Sequence, residues 1–349
     1  MTAALRVLAP GLMTTLQDLG RPGYQHTGVP VSGALDPVSL RAANLLVGNA
    51  PATAALEIAY VGPMLAVEAD SVRVALAGGT APIDILGREG ADGGSQRLAP
   101  FESIRLARGE RIRVGTLAGS ATAYLAVEGG FAIAPVLGSV STLTRGSIGG
   151  FEGRALRTGD MLPLRLAAAP EREEVALPPL DLAPRPRIRI VLGPQDDHFT
   201  PAGVSTLLGS TYTIAQASDR MGMRLEGPKL EHSAKGYNIV SDGTAPGSIQ
   251  VPGNGLPIIL LADRQTTGGY PKIATVISAD LPSLSRLAPG SKIAFEVVGI
   301  EAAEAAARQL AAEIEAMAGR LVPVRREPAF DTGRLLGENL VSGVISARE

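Results

Sequence analysis

Asp263, Arg264, Gln265, Thr266 and Thr267 stand in a row and are followed by Gly268-Gly269-Tyr270-Pro271. A carboxylate, a guanidinium, an amide and two hydroxyls on one loop can relay a proton, hold an anion and grip an amide. The row follows the apolar run Leu256-Pro257-Ile258-Ile259-Leu260-Leu261-Ala262 and precedes a second one, Ile273 to Ile277. Both runs are too short to cross a membrane and read as buried strands. The glycine pair lets the backbone turn sharply or approach a ligand closely. An ordinary polar hairpin is the alternative reading of the same residues.

Three further groupings bear chemistry. Asp18 and Arg21 flank Gly20 and precede Pro22-Gly23, which force turns; the two charges either pair with each other or face a site. Arg220 and Arg224 lie either side of Gly222. Their forked guanidinium groups suit a carboxylate or a phosphate, against the plainer reading of surface arginines in a strand. The loop from Gly138 to Arg154, GSVSTLTRGSIGGFEGR, is built to offer backbone N–H groups and Arg145 to an anion, or is simply a surface loop. The three histidines, His26, His198 and His232, lack metal-ligand spacing, and no metal site is expected. There is no phosphate loop of the GxxxxGK[ST] type and no G-x-S-x-G elbow.

The elements that must carry these groups read as mostly β. Candidate strands are Leu5 to Leu8, Val72 to Ala77, Ile112 to Leu117, Ala123 to Val127, Met161 to Leu164, Ile188 to Leu192 and Tyr212 to Ala215, with a turn and strand over Leu287 to Phe295. One helix has clear start and stop signals. Asp36 can cap it, Pro37 suits its first position, Leu40, Ala43, Leu46 and Val47 share a face, and Gly48 ends it. Asn44 either marks the helix end or presents an amide to a site. A second helix spans Glu301 to Met317, carries a Glu304–Arg308 pair and stops at Gly319. The tail beyond it, with Leu335 to Val341, would dock on the body or on a partner.

The chain has 349 residues, 42 of them Gly and 26 Pro, which fits two β domains with many turns. Residues 166–187 are rich in Pro and charge and read as a linker. The expected division is 1–170, a linker 171–186, a second domain 187–300, and a helix and tail 301–349. Gly62-Pro63 and Gly129-Gly130-Phe131 are echoed, in the same order, by Gly227-Pro228 and Gly268-Gly269-Tyr270, as two related domains would show. A net charge of −2 without a basic block argues against a nucleic-acid partner. There is no Cys, hence no thiolate chemistry. Without a signal peptide or a membrane span, a cytoplasmic protein is expected.

Several stretches taken together resemble one family. They are TLQDLGRPGYQHTGVPVSGALD, the helix with Asn44 and LLVGN, Leu56-Glu57, AYLAVEGGF, GSVSTLTRGSIGGFEGR, SDRMGMRLEGP and SIQVPGNGLPIILLADRQTTGGYPKIATVISADL. Between Leu5 and Phe295 the chain is similar to the family of allophanate hydrolase subunit 2 and the 5-oxoprolinase C subunit, which is also described as biotin-dependent carboxyltransferase-like. The resemblance implies two cyclophilin-like β-barrel domains. It implies work beside subunits B and A of a 5-oxoprolinase that opens 5-oxo-L-proline to L-glutamate, with ATP as co-substrate of the complex. Other relatives are the carboxyltransferase part of urea carboxylase, which uses carboxybiotin, or antagonists of a sporulation-kinase inhibitor. This chain has no biotinyl-lysine sequence of its own. On the motif positions, the resemblance and the residue chemistry together put Arg220 and Arg224 on a substrate carboxylate or phosphate. They make Asp263 a proton acceptor or orienter and give the substrate amide to Gln250 and Gln265. Asp18, Arg21, Asp36 and Asn44 would form a first-half wall, with Thr267 and Tyr270 completing the substrate side.

Overall fold

In Ala4–Ala9 Leu5 and Val7 point into the core while Arg6 faces solvent, the period-2 signature of a strand with one wet face. The strand Thr122–Val127 is buried at every position, because it lies inside a sheet covered on both faces. The computed structural model describes residues 3–87, 96–178, 180, 183, 185 and 187–324. The mainly-β expectation holds.

Two antiparallel sheets form the first half. One has six strands, in the order Met161–Pro163, Ala4–Ala9, Met64–Val67, Arg111–Val114, Ile83–Leu86 and Gln96–Leu98. The other has five, in the order Met13–Gln17, Ala55–Ala59, Thr122–Val127, Ser71–Ala77 and Ser103–Ala107. Their facing sides enclose a core of aliphatic side chains, including Leu5, Leu56, Val74, Ile85, Ile112 and Leu125. Helix α1 (Pro37–Leu46) covers the outer face of the five-stranded sheet through Leu40, Ala43 and Leu46. As its sequence signals indicate, Asp36 caps it, and Gly48 leaves it with φ +74°.

The second half is one eight-stranded sheet, in the order Lys292–Ile293, Tyr212–Ile214, Gly222–Glu226, Ile258–Leu260, Ser248–Gln250, Lys272–Val276, Ile188–Leu192 and Phe295–Val297. All its pairs are antiparallel except the last, Ile188–Leu192 with Phe295–Val297. A separate core, built on Ile190, Leu225, Ile249, Ile259, Ile273 and Phe295, fills it.

Helix α2 (Pro201–Gly209) is not anticipated by the sequence pattern, although Thr200 followed by Pro201 is a start signal; the Thr200 hydroxyl accepts from the Gly203 N–H at 3.0 Å. A short α3 (Leu281–Leu284) follows, then α4 (Ile300–Ala316) with its Glu304–Arg308 pair at 3.4 Å. Helix α4 does not stop at Gly319. It tightens into a 3-10 turn, Met317–Arg320, whose Met317 is buried in the core under α1. Val322–Pro323 then pairs with Val175–Ala176 of the linker region. Among the described residues no helix is long and apolar enough to cross a membrane. Leu335 to Val341, and positions 179, 181, 182, 184 and 186 of the linker region, lie outside the described residues.

Candidate functional site

The strands Gly222–Glu226 and Ile258–Leu260 pair antiparallel, with Gly222 opposite Leu260. The start of one and the end of the other therefore share an edge, and this edge brings Arg220 to Asp263. The Asp263 N–H donates to the Arg220 carbonyl at 2.9 Å. Arg220 Nε donates to Asp263 Oδ2 at 2.8 Å and Nη2 to Oδ1 at 3.1 Å, a bidentate fork. The same guanidinium crosses to the first half, where Nη1 meets Glu57 and Nη2 donates to the Gly33 carbonyl at 2.6 Å. Burial is the largest influence on Arg220 and acts to lower its pKa. The Glu57 and Asp263 carboxylates outweigh it, so the net shift is upward and the cation is held charged.

Glu57 also accepts from the Tyr124 hydroxyl at 2.6 Å and from the Leu35 N–H at 2.9 Å. Tyr124 in turn accepts from the Asp36 N–H at 2.8 Å. Asp36 takes the Val38 and Ser39 N–H groups at 3.0 and 3.1 Å and the Arg286 guanidinium of the second half at 2.7 Å. Ser32, in the left-handed region at φ +58°, donates to Asp263 Oδ1 at 2.6 Å. A strained non-glycine residue in direct contact with a buried carboxylate fits a functional position.

Asp18 and Arg21 do not pair with each other. Asp18 accepts from Gly20 N at 2.7 Å, Ser139 Oγ at 2.6 Å and Val140 N at 2.7 Å, so it organises the 138–154 loop from within. Arg21 is 1% exposed and donates to the Ser141 carbonyl; its Nε and Nη1 have no hydrogen-bond partner among the described residues. Burial lowers its pKa, opposed by Asp18 and Asp263.

Two cavities open beside this seam. One, of about 440 Å³, lies between the halves; Met13, Leu35 and Tyr60 line it on one side and Arg220, Met223 and Asp263 on the other. The second, of about 410 Å³, lies on the second half and is lined by Arg224, Gln250, Asn254, Gln265 and Tyr270. The Arg145–Asp219 ion pair, 2.9 Å long, borders both. In the second cleft Gln265 Nε2 donates to Gln250 Oε1 at 2.9 Å, and Gln250 Nε2 donates to the Tyr270 carbonyl at 3.5 Å. Arg224 is exposed, and its guanidinium makes no hydrogen bond or ion pair among the described residues. A free fork beside two linked amides can take a ligand that has both a carboxylate and an amide.

The candidate residues thus divide. Asp263, Arg220 and Asp36 make contacts across the seam, Arg21 lies close enough to feel the Asp263 charge, and Asp18 bonds within the first half; Arg224, Gln250, Gln265 and Tyr270 lie in the cleft. Thr267 is exposed on a two-residue strand beside the cleft. Asn44 lies outside both cavities. It donates to the Thr53 carbonyl at 2.7 Å and accepts from Asn49 at 3.0 Å, which braces the exit of α1. Sequence reasoning gives no site role to Glu57, Tyr124, Ser32, Arg286 or Lys272; Glu57 enters it only within the Leu56-Glu57 match to the family. A lone Glu inside ALEIA and a Tyr inside AYLAV are the available signals, since a polar group in a buried strand needs a partner.

Two mainly-β halves joined by a buried ionic seam, with small polar and apolar cavities beside it, agree with the match of residues 27–297 to the carboxyltransferase domain, subdomain A and B. The chain belongs to that family. Along almost its whole length it is similar to the 5-oxoprolinase C subunit of Escherichia coli, 36% identical over 318 residues, which cover 91% of this chain and 98% of that protein. It is also 31% identical to urea amidolyase of Saccharomyces cerevisiae over 94% of this chain but 19% of that one. The crystal structure of the K. lactis urea amidolyase superposes with a TM-score of 0.82 at 29% identity, covering 94% of this chain and 21% of that one.

Proposed function

We propose that this chain is the C subunit of a cytoplasmic, ATP-dependent 5-oxoprolinase and acts with subunits B and A to open 5-oxo-L-proline to L-glutamate. The observation that carries this reading is the presence in one cleft of the Arg224 guanidinium, without a hydrogen bond or ion pair among the described residues, and the linked Gln250–Gln265 amides. A small lactam acid offers a carboxylate to the first and an amide to the second. The near end-to-end similarity to the E. coli protein supports it.

A lactam carbonyl is a poor electrophile, and ATP removes that difficulty when the γ-phosphoryl group passes to the lactam oxygen and ADP leaves. Water then adds at the ring carbon, the C–N bond breaks and the nitrogen takes up protons to become the free amine, which leaves an acyl phosphate; a second water cleaves that to the carboxylate and inorganic phosphate. Arg224 holds the substrate carboxylate, Gln250 and Gln265 orient the amide, and Tyr270 and Thr267 bound the cleft. Asp263 acts as proton acceptor or orienter at the root of the loop that carries Gln265. Arg220, Asp18, Arg21, Asp36 and Asn44 keep the surrounding frame in register.

The test is ATP-dependent glutamate formation by the three subunits together, with this chain omitted, and with Arg224→Gln. Losing a charge-assisted hydrogen bond, about 1.5–3 kcal/mol, raises KM by roughly 10- to 150-fold in a folded variant. No glutamate from three folded wild-type subunits overturns the reading. A second reading, carboxyl transfer, is favoured by the similarity to urea amidolyase. It requires a biotinylated carrier from another chain, and a carrier that copurifies with this chain would support it.

A further inference from the structure

Resting on the cleft as the substrate site, we infer that Lys272 is a positioning residue that fixes the two amides relative to each other from beneath. The Lys272 side chain is 2% exposed, and its ammonium has two acceptors, Asp242 Oδ2 at 2.8 Å and the Gly243 carbonyl at 3.2 Å. A buried lysine is costly unless its charge is answered, and a packing role alone would be served better by Met or Leu. The directional ammonium therefore has a task, and its partners show which.

Asp242–Gly243 pairs only with Thr267–Gly268, in a two-residue ladder. Around it the Thr244 N–H donates to the Thr266 carbonyl at 3.0 Å, the Ile239 N–H to the Gly269 carbonyl at 2.9 Å, and the Thr244 hydroxyl to the Gln265 carbonyl. Segment 239–244 thus clasps the whole Gln265–Gly269 loop. It has little hydrophobic support of its own: Val240 is 93% exposed, and so short a ladder is not stable alone.

Lys272 supplies the missing anchor, and its main chain lies at the other half of the pair. In the ladder between Ser248–Gln250 and Lys272–Val276, Ile249 faces Ala274 but Gln250 faces Lys272, so the register slips at a bulge there. Bulges re-aim side chains beside sites. Gln195 locks the same spot: its N–H donates to the Lys272 carbonyl at 3.0 Å, its Oε1 accepts from the Lys272 N–H at 3.1 Å, and its Nε2 donates to Asp242 Oδ2 at 3.2 Å. One residue therefore neighbours Gln250 through its backbone and holds the clasp on Gln265 through its ammonium.

The test compares wild type, Lys272→Met and Asp242→Asn in the assembled three-subunit enzyme, together with amide hydrogen exchange on each variant. The expected result is exchange about tenfold faster at 242–244 and 265–269, unchanged exchange in Ile188–Leu192, and a KM for 5-oxoproline raised about tenfold with a smaller change in kcat. Lys272→Arg, which keeps the cation, should recover part of both effects. Wild-type exchange at 265–269 and wild-type KM in a folded Lys272→Met overturn the inference. If Lys272→Met does not fold, Asp242→Asn decides, because Asp242 is half-exposed. A wild-type complex that forms no glutamate defeats the proposed function, while the exchange measurement still decides the clasp.

Discussion

Arg220 and Glu57 lie 163 positions apart and meet in a buried contact between the two halves, with Asp263 and the Gly33 carbonyl taking the rest of the same guanidinium. Every nitrogen of that fork is committed to the protein. Its first consequence is for stability: it holds two carboxylates that are themselves about 5% exposed. Arg220→Ala leaves both uncompensated and should lower the unfolding free energy by about 3–5 kcal/mol, read from urea denaturation. A variant as stable as wild type would show that the seam is not held by charge. Lost activity in an unfolded Arg220→Ala says nothing of catalysis, and Arg224 is the sharper probe of ligand binding.

Alkaline pH should loosen both the seam, through Tyr124, and the core of the second half, through Tyr212. Burial, then the Glu57 carboxylate, pushes the Tyr124 phenol well above its ordinary 10, and burial pushes Tyr212 up to about 12. A pKa raised in the folded state means that the native protein keeps a proton the unfolded chain gives up. Stability from these groups is full below about pH 10 and falls as pH rises from there through the folded values. Absorbance at the phenolate band should therefore show both tyrosines silent near pH 10, with Tyr212 released towards pH 12 and Tyr124 still protonated beyond its ordinary range until the fold opens. Removing the hydroxyl by Tyr124→Phe should abolish its share of that step.

How far the sequence foretells this molecule depends on the range of the interaction. Helix α1 is readable because Asp36, Pro37 and Gly48 act within one turn of the backbone they control. The strands are readable because apolar runs and alternation are local. What is not readable is that Asp36 also answers Arg286, 250 positions away, or that Gln250 sits across a bulge from Lys272. The candidate residues are legible as types in motifs, but their division between a seam and a cleft follows from sheet order, which no spacing encodes. Helix α2 is a different failure: Thr200-Pro201 announces it, and its small, weakly patterned face hides it.

The double duty of Asp36 can be separated. Asp36→Ser keeps an N-cap hydroxyl but removes the carboxylate that Arg286 meets there, whereas Asp36→Ala removes both. Losing a cap alone costs about 1 kcal/mol. The Ser variant should therefore account for most of the loss seen with Ala, and both should exceed that figure in chemical denaturation. A Ser variant close to wild type would reduce the Asp36–Arg286 contact to an onlooker.

Gly268→Ala offers a way to disturb the cleft while leaving the backbone conformation in place. A Cβ on Gly268 would lie 2.3 Å from Gln250 Nε2 and 3.3 Å from Gln265 Nε2. Gly268 is not among the residues with positive φ, so alanine meets no backbone strain there. What must yield is the end of the Gln250 side chain, which is buried, so losing its hydrogen bond should cost about 1–3 kcal/mol of stability. The yielding end is the amide that the cleft needs in place. Its displacement breaks the 2.9 Å bond between Gln265 and Gln250 and should lower kcat/KM for 5-oxoproline by roughly 10- to 100-fold. In a Gln250→Ala background the 2.3 Å clash is gone and only the 3.3 Å approach to Gln265 remains, so the same substitution should add much less. Equal losses in both backgrounds would mean that Gly268 acts on the loop backbone, and the amide pair would lose its place in the proposed site.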